Sequence, residues 1–370
     1  MPANDHLGHI IMDLPPAADN PRNSEGSFLA LKDGRILFVY TRYDGDNPGD
    51  YAPADIYAIT SDDEGASWTE PAKLLDRKLD NAQNVMSVSL VRLNNGDIGL
   101  VYFLRTNTSE GRPYIRRSTD EGQTWSKPVS CTNTRGVYVT NNDRAVVLST
   151  GRLIIPAAYH RTIIGEDGNE YWDSYAVTYY FYSDDDGRTF RQSEPCYSHV
   201  TRGTTGLQEP GVLELANGTL YGWARTDVGM QYEMYSHDGG EHWSHPQPSQ
   251  FMSPNSPMSM KRLPDGKTLL AIWNPIPNYP GRKKQTDGWF GGRTPLVYAL
   301  STDETRSWSE PVMIEDDPAS GYCYTAIHFT QDEQMLLAYC AGGPADRSTL
   351  VRLRMRKMPL PQDDAPIWEG

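Results

Sequence analysis

Cysteine is scarce in this chain of 370 residues. It has four cysteines, no C-x-x-C pair and no Cys/His cluster with the spacing of a zinc site. The sequence therefore predicts free thiols, no metal and no cofactor. Positive charge is scarce too, and the net charge of −14 argues against nucleic acid and anionic membranes as partners. It does not exclude a small anionic ligand, which responds to the local field of a cleft.

Long apolar runs and helical periodicity are also missing. No run is long enough to cross a bilayer, and residues 1–14 lack the basic start and continuous apolar stretch of a signal peptide. We therefore expect a cytoplasmic protein, or a secreted or periplasmic one if a leader has been removed. The apolar period is 2 throughout, and the 27 prolines and 32 glycines indicate an all-β chain rich in turns.

A short motif, Ser-x-Asp-x-Gly-x-x-aromatic or one step from it, recurs at nearly even spacing. Its five copies are Ser61–Trp68, Ser118–Trp125, Ser183–Phe190, Ser236–Trp243 and Ser301–Trp308. Serine and aspartate side chains bond the N–H groups of their own turn, glycine supplies a positive φ, and the aromatic ring packs the turn on its sheet. These aspartates are therefore predicted to form turns rather than to bind metal or catalyse.

A second repeat, out of phase with the first, is a pair of apolar strands joined by a tight turn. Its six copies are Phe28–Tyr40, Val88–Tyr102, Ala145–Ala158, Val212–Trp223, Met260–Trp273 and Ala326–Tyr339. Together the repeats predict a six-bladed β-propeller of four-stranded antiparallel blades, with one domain spanning residues 1–370. Leu7–Leu14 and Thr349–Met358 are expected to complete one blade between them.

The motif is the Asp-box, and its phase relative to the hairpins resembles that of the sialidase (neuraminidase) superfamily. The resemblance implies a pocket on the propeller axis. In that family a glutamate precedes this hairpin, and an arginine of a carboxylate-binding triad follows it. Glu209 and Arg225 stand at the same two places around the fourth hairpin of this chain. Arg293, eight residues before the fifth Asp-box, matches another triad arginine.

The resemblance also implies a tyrosine nucleophile at the start of the sixth blade. Counting from the turn at Glu333 selects Tyr324, whereas matching the Gly-Tyr pair selects Tyr322. Because residues two apart on a strand face the same side, both are expected to line the pocket. A phenol is a poor nucleophile at neutral pH, so a carboxylate such as Glu209 is needed to accept its proton. A neutral nucleophile suits a substrate with its own carboxylate, and sialidases are known to use tyrosine.

The family's acid/base aspartate lies between the first hairpin and the first Asp-box. Asp50 is nearest to the expected distance from Ser61, and Asp46 and Asp55 remain alternatives.

The first blade departs from the family pattern. Sialidases open it with Arg-Ile-Pro, whereas this chain has Ser24-Glu25-Gly26 in register with Gly34. Either Arg22, two residues earlier, takes over the binding of the carboxylate, or this part of the carboxylate-binding site is rebuilt or lost. Polar residues at both ends of the third hairpin add Asp143, Arg144 and His160 as candidate pocket residues.

These residues predict a retaining exo-glycosidase of the sialidase type that releases a terminal acidic sugar. Tyr324 would be the nucleophile, Glu209 its base and Asp50 the acid/base, with Arg225 and Arg293 binding the carboxylate. The sugar could be sialic acid, another ulosonic acid or a uronic acid. The alternatives are a polysaccharide lyase acting on uronates with His160 and Tyr324, and a carbohydrate-binding propeller without catalysis. The oligomeric state is left open.

Overall fold

A computed structural model describes residues 7–198, 203–277, 283–285, 288–290 and 292–361. Across these residues the chain is all β apart from turns and short 3₁₀ segments, of which one spans Arg77–Asp80. The predicted six-bladed propeller of four-stranded antiparallel blades is confirmed.

The blades follow one another along the chain, each running from an inner strand at the axis to an outer strand. Blades 1 and 2 contain β2 (Asn23–Ala30), β3 (Ile36–Tyr43), β4 (Ala54–Ser61), β5 (Ala72–Leu75), β6 (Asn84–Arg92), β7 (Ile98–Asn107), β8 (Glu110–Ser118) and β9 (Val129–Ser130). Blade 3 contains β10 (Val137–Val139), β11 (Val146–Val147), β12 (Leu153–Ile164), β13 (Glu170–Ser183) and β14 (Arg191–Gln192). Its inner strand is split into β10 and β11, both paired with β12.

Blades 4 and 5 complete the second half of the ring with blade 6. Blade 4 contains β15 (Gln208–Glu214), β16 (Leu220–Arg225), β17 (Met230–Ser236) and β18 (Gln247–Met252). Blade 5 contains β19 (Ser259–Arg262), β20 (Leu269–Trp273), β23 (Leu296–Ser301) and β24 (Val312–Glu315), with the small hairpin β21 (Lys283–Gln285) and β22 (Gly288–Phe290) inserted. Blade 6 contains β25 (Cys323–Phe329), β26 (Gln334–Cys340), β27 (Leu353–Pro359) and β1 (His9–Leu14).

Contacts between neighbouring blades close the ring. Blade 1 contacts both blade 2, through β2 and β6, and blade 6, through β2 and β25. Apolar clusters fill these two boundaries as well, one around Val39 and Leu90 and the other around Phe38 and Leu336. The N-terminal β1 pairs with β27 as predicted, so the two ends of the chain share one blade. In this ring of six, blade 2 faces blade 5 across the axis.

The Asp-box turns lie on the rim, between the third and fourth strands of the first five blades. In the first box Ser61 Oγ accepts a hydrogen bond from Gly65 N at 2.8 Å, and Asp63 Oδ1 accepts one from Ser67 N at 2.8 Å. The fifth box keeps this geometry although Thr305 holds the glycine position at φ +73°. The boxes are therefore self-contained hydrogen-bonded turns that stabilise the rim.

Candidate functional site

The same backbone irregularity recurs in the inner strands of five blades, within the described residues. Glu25, Ser87, Asp143, Glu209 and Tyr324 all have φ between 46° and 60°, in the left-handed region. In blades 1, 2, 4 and 6 the strand pairing shifts register immediately after this residue, which marks a β-bulge. Such a conformation costs a non-glycine residue about 1–3 kcal/mol, and its repetition around one axis marks a functional centre.

The bulges place side chains around a cavity of about 230 Å³ on the axis. Its lining draws on all six blades or their loops: Glu25, Asp50, Tyr51, Met86, Ser87, Phe103, Arg105, Val139, Thr140, Asn141, His160, Trp172, Gln208, Glu209, Arg225, Arg293, Tyr324 and Leu350. Six of the predicted site residues are therefore brought together: Tyr324, Glu209, Asp50, Arg225, Arg293 and His160. Glu25, from the departing first blade, joins them.

Tyr324 and Glu209 make direct contact although they come from blades 6 and 4. The Tyr324 hydroxyl donates to Glu209 Oε1 at 2.9 Å, and Arg225 Nη1 donates to Glu209 Oε2 at 2.6 Å. Arg225 also lies 3.4 Å from the Tyr324 hydroxyl and bonds the side chain of Gln208. Burial, and then the Glu209 carboxylate, raise the pKa of Tyr324 well above its usual value. The phenol is thus neutral at neutral pH, with a base already hydrogen-bonded to it.

Arg293 lies on the other side of the Tyr324 ring, with its guanidinium carbon 5.5 Å from the ring centre. Its hydrogen-bond partners are a thiol and a carbonyl group: Cys323 Sγ at 3.0 Å and the carbonyl oxygen of Asn255 at 3.1 Å. Cys323 is one of four cysteines, all buried and all free, as the sequence predicted. Arg293 therefore offers the pocket a positive charge that no carboxylate of the described residues neutralises.

Arg22 does not replace the missing triad arginine. It is 1% exposed and lies behind the pocket wall, stacked on Tyr43 with 4.6 Å between the guanidinium carbon and the ring centre. Its guanidinium donates to Glu25 at 2.8 Å and Asp50 at 2.6 Å. The prediction that Arg22 binds substrate is therefore wrong, because its guanidinium is already hydrogen-bonded to two carboxylates of the protein.

Glu25 and Asp50 are the two carboxylates that Arg22 holds at the first-blade wall. Glu25 also accepts a hydrogen bond from Ser87 Oγ at 2.7 Å, and burial raises its pKa despite Arg22. Asp50 exposes 57% of its side chain at the pocket. Partial burial acts to raise its pKa, but the Arg22 guanidinium outweighs this and holds the pKa below its usual value.

The other acid/base candidates lie elsewhere. Asp55 is fully buried and paired with Lys73 and Arg77, at 2.6 and 3.0 Å. Asp46 is exposed on the loop before β4 and is not part of the pocket lining. Asp50 is thus the one of the three candidates that the structure brings to the axis.

Tyr322 is not a pocket residue, contrary to the prediction. It is 2% exposed and packs between blades 5 and 6, with its ring centre 6.3 Å from that of Tyr339. The expected two-residue alternation fails because the bulge at Tyr324 interrupts the regular pleat.

Asp143 and Arg144 are also buried structural residues rather than substrate contacts. Asp143 accepts hydrogen bonds from Ser27 Oγ at 2.9 Å and Ile327 N at 3.0 Å, and pairs with Lys261 at 2.8 Å. Arg144 donates to Ser259 Oγ and to the carbonyl oxygen of Met258. Both therefore bind blade 3 to other blades beneath the pocket, and the prediction that they contact substrate is wrong.

His160 lies in the pocket lining, beside Trp172. Its Nδ1 is 2.7 Å from the carbonyl oxygen of Asp173, which can only accept, so Nδ1 carries the proton. The two rings meet edge to face with centres 4.3 Å apart. Burial lowers the pKa of His160 to about 4, so the ring is neutral at neutral pH and Nε2 is an acceptor.

Sequence reasoning missed Ser87 and Arg105. Ser87 was detectable, because it precedes the turn glycine Gly96 by nine residues, as Glu25 precedes Gly34 and Glu209 precedes Gly218. In blade 5 the same spacing from Gly266 leads to Pro257, whose ring excludes a positive φ. Arg105, near the end of the second strand of its blade, had no comparable signal.

The described residues contain no group of three or more His, Cys, Asp and Glu side chains that could hold a metal ion. No helix within them is both long and apolar enough to cross a membrane.

A family model described as "BNR repeat-like domain" matches residues 105–337, well over half of the chain. The chain belongs to this BNR repeat-like family. Its curated relatives include an anhydrosialidase from the leech Macrobdella decora, 24% identical over 266 residues that cover 66% of this chain and 32% of the relative. An exo-alpha-sialidase from Arthroderma benhamiae is 30% identical over 178 residues, covering 41% of this chain and 42% of the relative. The predicted place in the sialidase superfamily is thus confirmed.

A solved structure shows the same fold. A leech intramolecular trans-sialidase, complexed with 2,7-anhydro-Neu5Ac, superposes with a TM-score of 0.70 at 16% identity, over 95% of this chain and 70% of that one. This BNR-repeat chain spans less than half of the length of the two curated relatives, 32% of one and 42% of the other.

Proposed function

We propose that this protein is a sialidase-type glycoside hydrolase that releases a terminal acidic sugar with retention of configuration. The observation that carries the proposal is the 2.9 Å hydrogen bond between Tyr324 and Glu209. These residues lie 115 positions apart in sequence and both adopt a left-handed backbone conformation. A propeller that only binds carbohydrate has no need of this contact, whereas a tyrosine nucleophile needs a base within hydrogen-bond reach.

In the first step Tyr324 Oη attacks the anomeric carbon while Glu209 takes its proton. The bond from that carbon to the aglycone oxygen breaks, and Asp50 gives this oxygen a proton. In the second step Asp50 takes a proton from water as the water oxygen attacks the anomeric carbon. The bond from that carbon to Tyr324 Oη breaks, and the phenolate recovers its proton from Glu209. Two displacements at one carbon retain its configuration.

The surroundings support an acidic sugar. Arg293 has a thiol and a carbonyl oxygen rather than a carboxylate as partners, and a guanidinium binds a carboxylate through planar paired hydrogen bonds. The cavity of about 230 Å³ is smaller than the roughly 300–1,000 Å³ of pockets for drug-sized ligands. It suits one sugar unit, and hence removal of a terminal residue.

The proposal is tested by a screen of aryl glycosides of sialic, other ulosonic and uronic acids, with the products examined by NMR and ultraviolet absorbance. We expect a saturated sugar released first as the anomer of the substrate. An unsaturated product absorbing in the near ultraviolet would instead indicate a lyase acting through His160 and Tyr324. Saturable binding of these glycosides without turnover would indicate a carbohydrate-binding propeller.

A further inference from the structure

The charged groups of the pocket are unevenly paired. Glu25 and Asp50 share Arg22, and Glu209 pairs with Arg225 at 2.6 Å. These are the carboxylates of the lining, and each already faces an arginine. Arg105, in contrast, has no carboxylate within ion-pair distance in the described part of the chain.

Arg105 is 4% exposed and belongs to the pocket lining. Its Nε and Nη1 atoms are buried and have no hydrogen-bond partner among the described residues. The guanidinium carbon lies 4.4 Å from the ring centre of Tyr51 and 5.0 Å from that of Phe103. Burial lowers the pKa of Arg105, against the opposing effect of Tyr51 and Asp50.

An unpaired buried cation is costly, and contact with aromatic faces offsets only part of the cost. Among the described residues, Arg42, Arg117, Arg144 and Arg225 each leave one buried guanidinium nitrogen without a partner, whereas Arg105 leaves two. Arg22 donates to three side chains and a carbonyl oxygen, and Arg144 donates to Ser259 and Met258. The orphaned nitrogens of Arg105 therefore indicate a group that arrives with the ligand.

Asn141 supplies a second donor on the neighbouring blade. Its side chain is buried in the pocket lining, and its Oδ1 accepts from Asn142 N at 2.9 Å, which fixes the orientation of the amide. Its Nδ2 then has no partner within the described residues. Arg105 and Asn141 thus offer unused donors, a combination that suits an oxyanion.

The position of this pair determines which ligand it selects. Arg105 lies in blade 2, and Arg293 lies in blade 5 on the opposite side of the ring. Neither arginine has a carboxylate partner in the described part of the chain, so each can bind a negatively charged group of its own. We propose that Arg105 and Asn141 form a second anion-binding subsite, and that the preferred substrate carries two negatively charged groups, one facing Arg293 and one facing Arg105. The second half of this inference rests on the proposed function.

The test measures anion binding without turnover. Thermal unfolding of the full chain is followed against sodium sulfate and, separately, sodium acetate, with sodium chloride at matched ionic strength. Sulfate stabilises proteins non-specifically, so the saturable part of the shift is the readout. The variants are Arg105→Met and Arg105→Gln, with Arg135→Met as control because Arg135 is highly exposed.

We expect a saturable shift in the wild type and Arg135→Met, with affinity at least about tenfold lower in both Arg105 variants. A stronger response to sulfate than to acetate would identify a sulfate or phosphate ester as the second group, and the reverse a carboxylate. Arg105→Met without ligand should unfold at the same temperature as wild type or higher, because it removes an unpaired charge. An unchanged saturable shift in the Arg105 variants, or its absence from wild type, would overturn the subsite.

Catalysis gives a separate readout. On an acidic glycoside that wild type hydrolyses, adding a sulfate ester to the sugar should raise kcat/KM in wild type, and Arg105→Met should abolish that gain. If no glycoside is hydrolysed while sulfate binding still depends on Arg105, the proposed function fails and the subsite stands. If hydrolysis occurs but no sulfated or carboxylated derivative gains from Arg105, the dianionic substrate is wrong.

Discussion

The rim and the axis of this propeller use the same kinds of polar residue for opposite purposes. On the rim, Asp63 accepts from Ser61, from Ser67 N and from Ser67 Oγ, and glycine provides the positive φ. Non-glycine residues take a positive φ in both places, Glu64 in the first box and Glu209 and Tyr324 at the axis, so the difference lies in how the polar side chains are paired. The aspartates of the rim are satisfied within their own turns, although the indole nitrogens of Trp125 and Trp308 have no partner. At the axis, charged and amide nitrogens of Arg105 and Asn141 have no partner among the described residues.

This fold gains stability at the rim and loses some of it at the axis. Hydrogen bonds that close a turn on itself favour the folded state at every rim position. Strained backbone, buried charges and unused donors at the axis oppose folding and are retained where a ligand is to be bound. Substitutions at the rim should therefore change stability, and substitutions at the axis should change activity.

The largest expected effect is at the axis. Tyr324→Phe removes the attacking oxygen, so kcat should fall by about 10³-fold or more. Stability should change by about 1–2 kcal/mol at most, because the hydrogen bond to Glu209 and the longer one from Arg225 are lost while Glu209 keeps its ion pair with Arg225. Steady-state kinetics measure kcat, and chemical denaturation measures the free energy of unfolding. A Tyr324→Phe variant that loses stability but keeps its kcat would contradict the assignment of Tyr324 as the nucleophile.

On the rim, Trp308 is 6% exposed and contacts Phe251 edge-on at 5.1 Å. Trp308→Ala should cost about 3–5 kcal/mol of unfolding free energy, with activity per folded molecule unchanged. Trp172→Ala is the matched change in the pocket, where the ring is only half-buried. It should cost less stability and more activity. The same pattern of losses in both variants would erase the distinction between rim and axis.

Asp50 should matter most when the leaving group is poor. Its pKa is held below its usual value by Arg22, so the protonated form is scarce at neutral pH and activity should rise as the pH falls towards about 5. Asp50→Asn should lower the rate for an alkyl glycoside at least about 10²-fold more than for a 4-nitrophenyl glycoside. Steady-state rates on the two substrates give the ratio, and an equal loss on both would remove Asp50 as the acid.

The smallest effect is the acid response of the rim. Hydrogen bonds within the boxes lower the pKa values of Asp63 and Asp120 to about 2, from an ordinary 3.8. A carboxyl with a depressed folded-state pKa stabilises fully above the unfolded value, and the stabilisation disappears as the pH falls from about 4 to about 2. The double variant Asp63→Asn, Asp120→Asn should thus start less stable at pH 6 and lose less on acidification. Melting curves that stay parallel to those of wild type would contradict this.

Much of the fold was readable from the sequence because it repeats. The box glycines and hairpin turns mark each blade, so the order of blades and the pairing of the chain ends followed from spacing alone. The contact between Tyr324 and Glu209 was expected from register with the turns at Glu333 and Gly218. In a propeller, the order of the blades in space follows from the length of the sequence repeat.

Two features of the site could not be predicted from the repeat spacing. The inner-strand bulges break the two-residue alternation, so Tyr322 was assigned to the pocket although it lies in the core. The direction of Arg22 depends on ion pairs with Glu25 and Asp50, which sit at different levels of one blade. Neither bulge geometry nor the choice of ion-pair partner follows from hydrophobic period.

The most direct test of the account is covalent trapping by a fluorinated sugar acid. With a 2,3-difluoro derivative of the acidic sugar that is hydrolysed fastest, the intact mass should increase by one glycosyl unit, and the labelled peptide should carry it on Tyr324. Tyr324→Phe should remain unlabelled under the same conditions. A label on Glu209 or Tyr322, or hydrolysis that survives Tyr324→Phe without any labelling, would contradict a tyrosine nucleophile at the axis of this propeller.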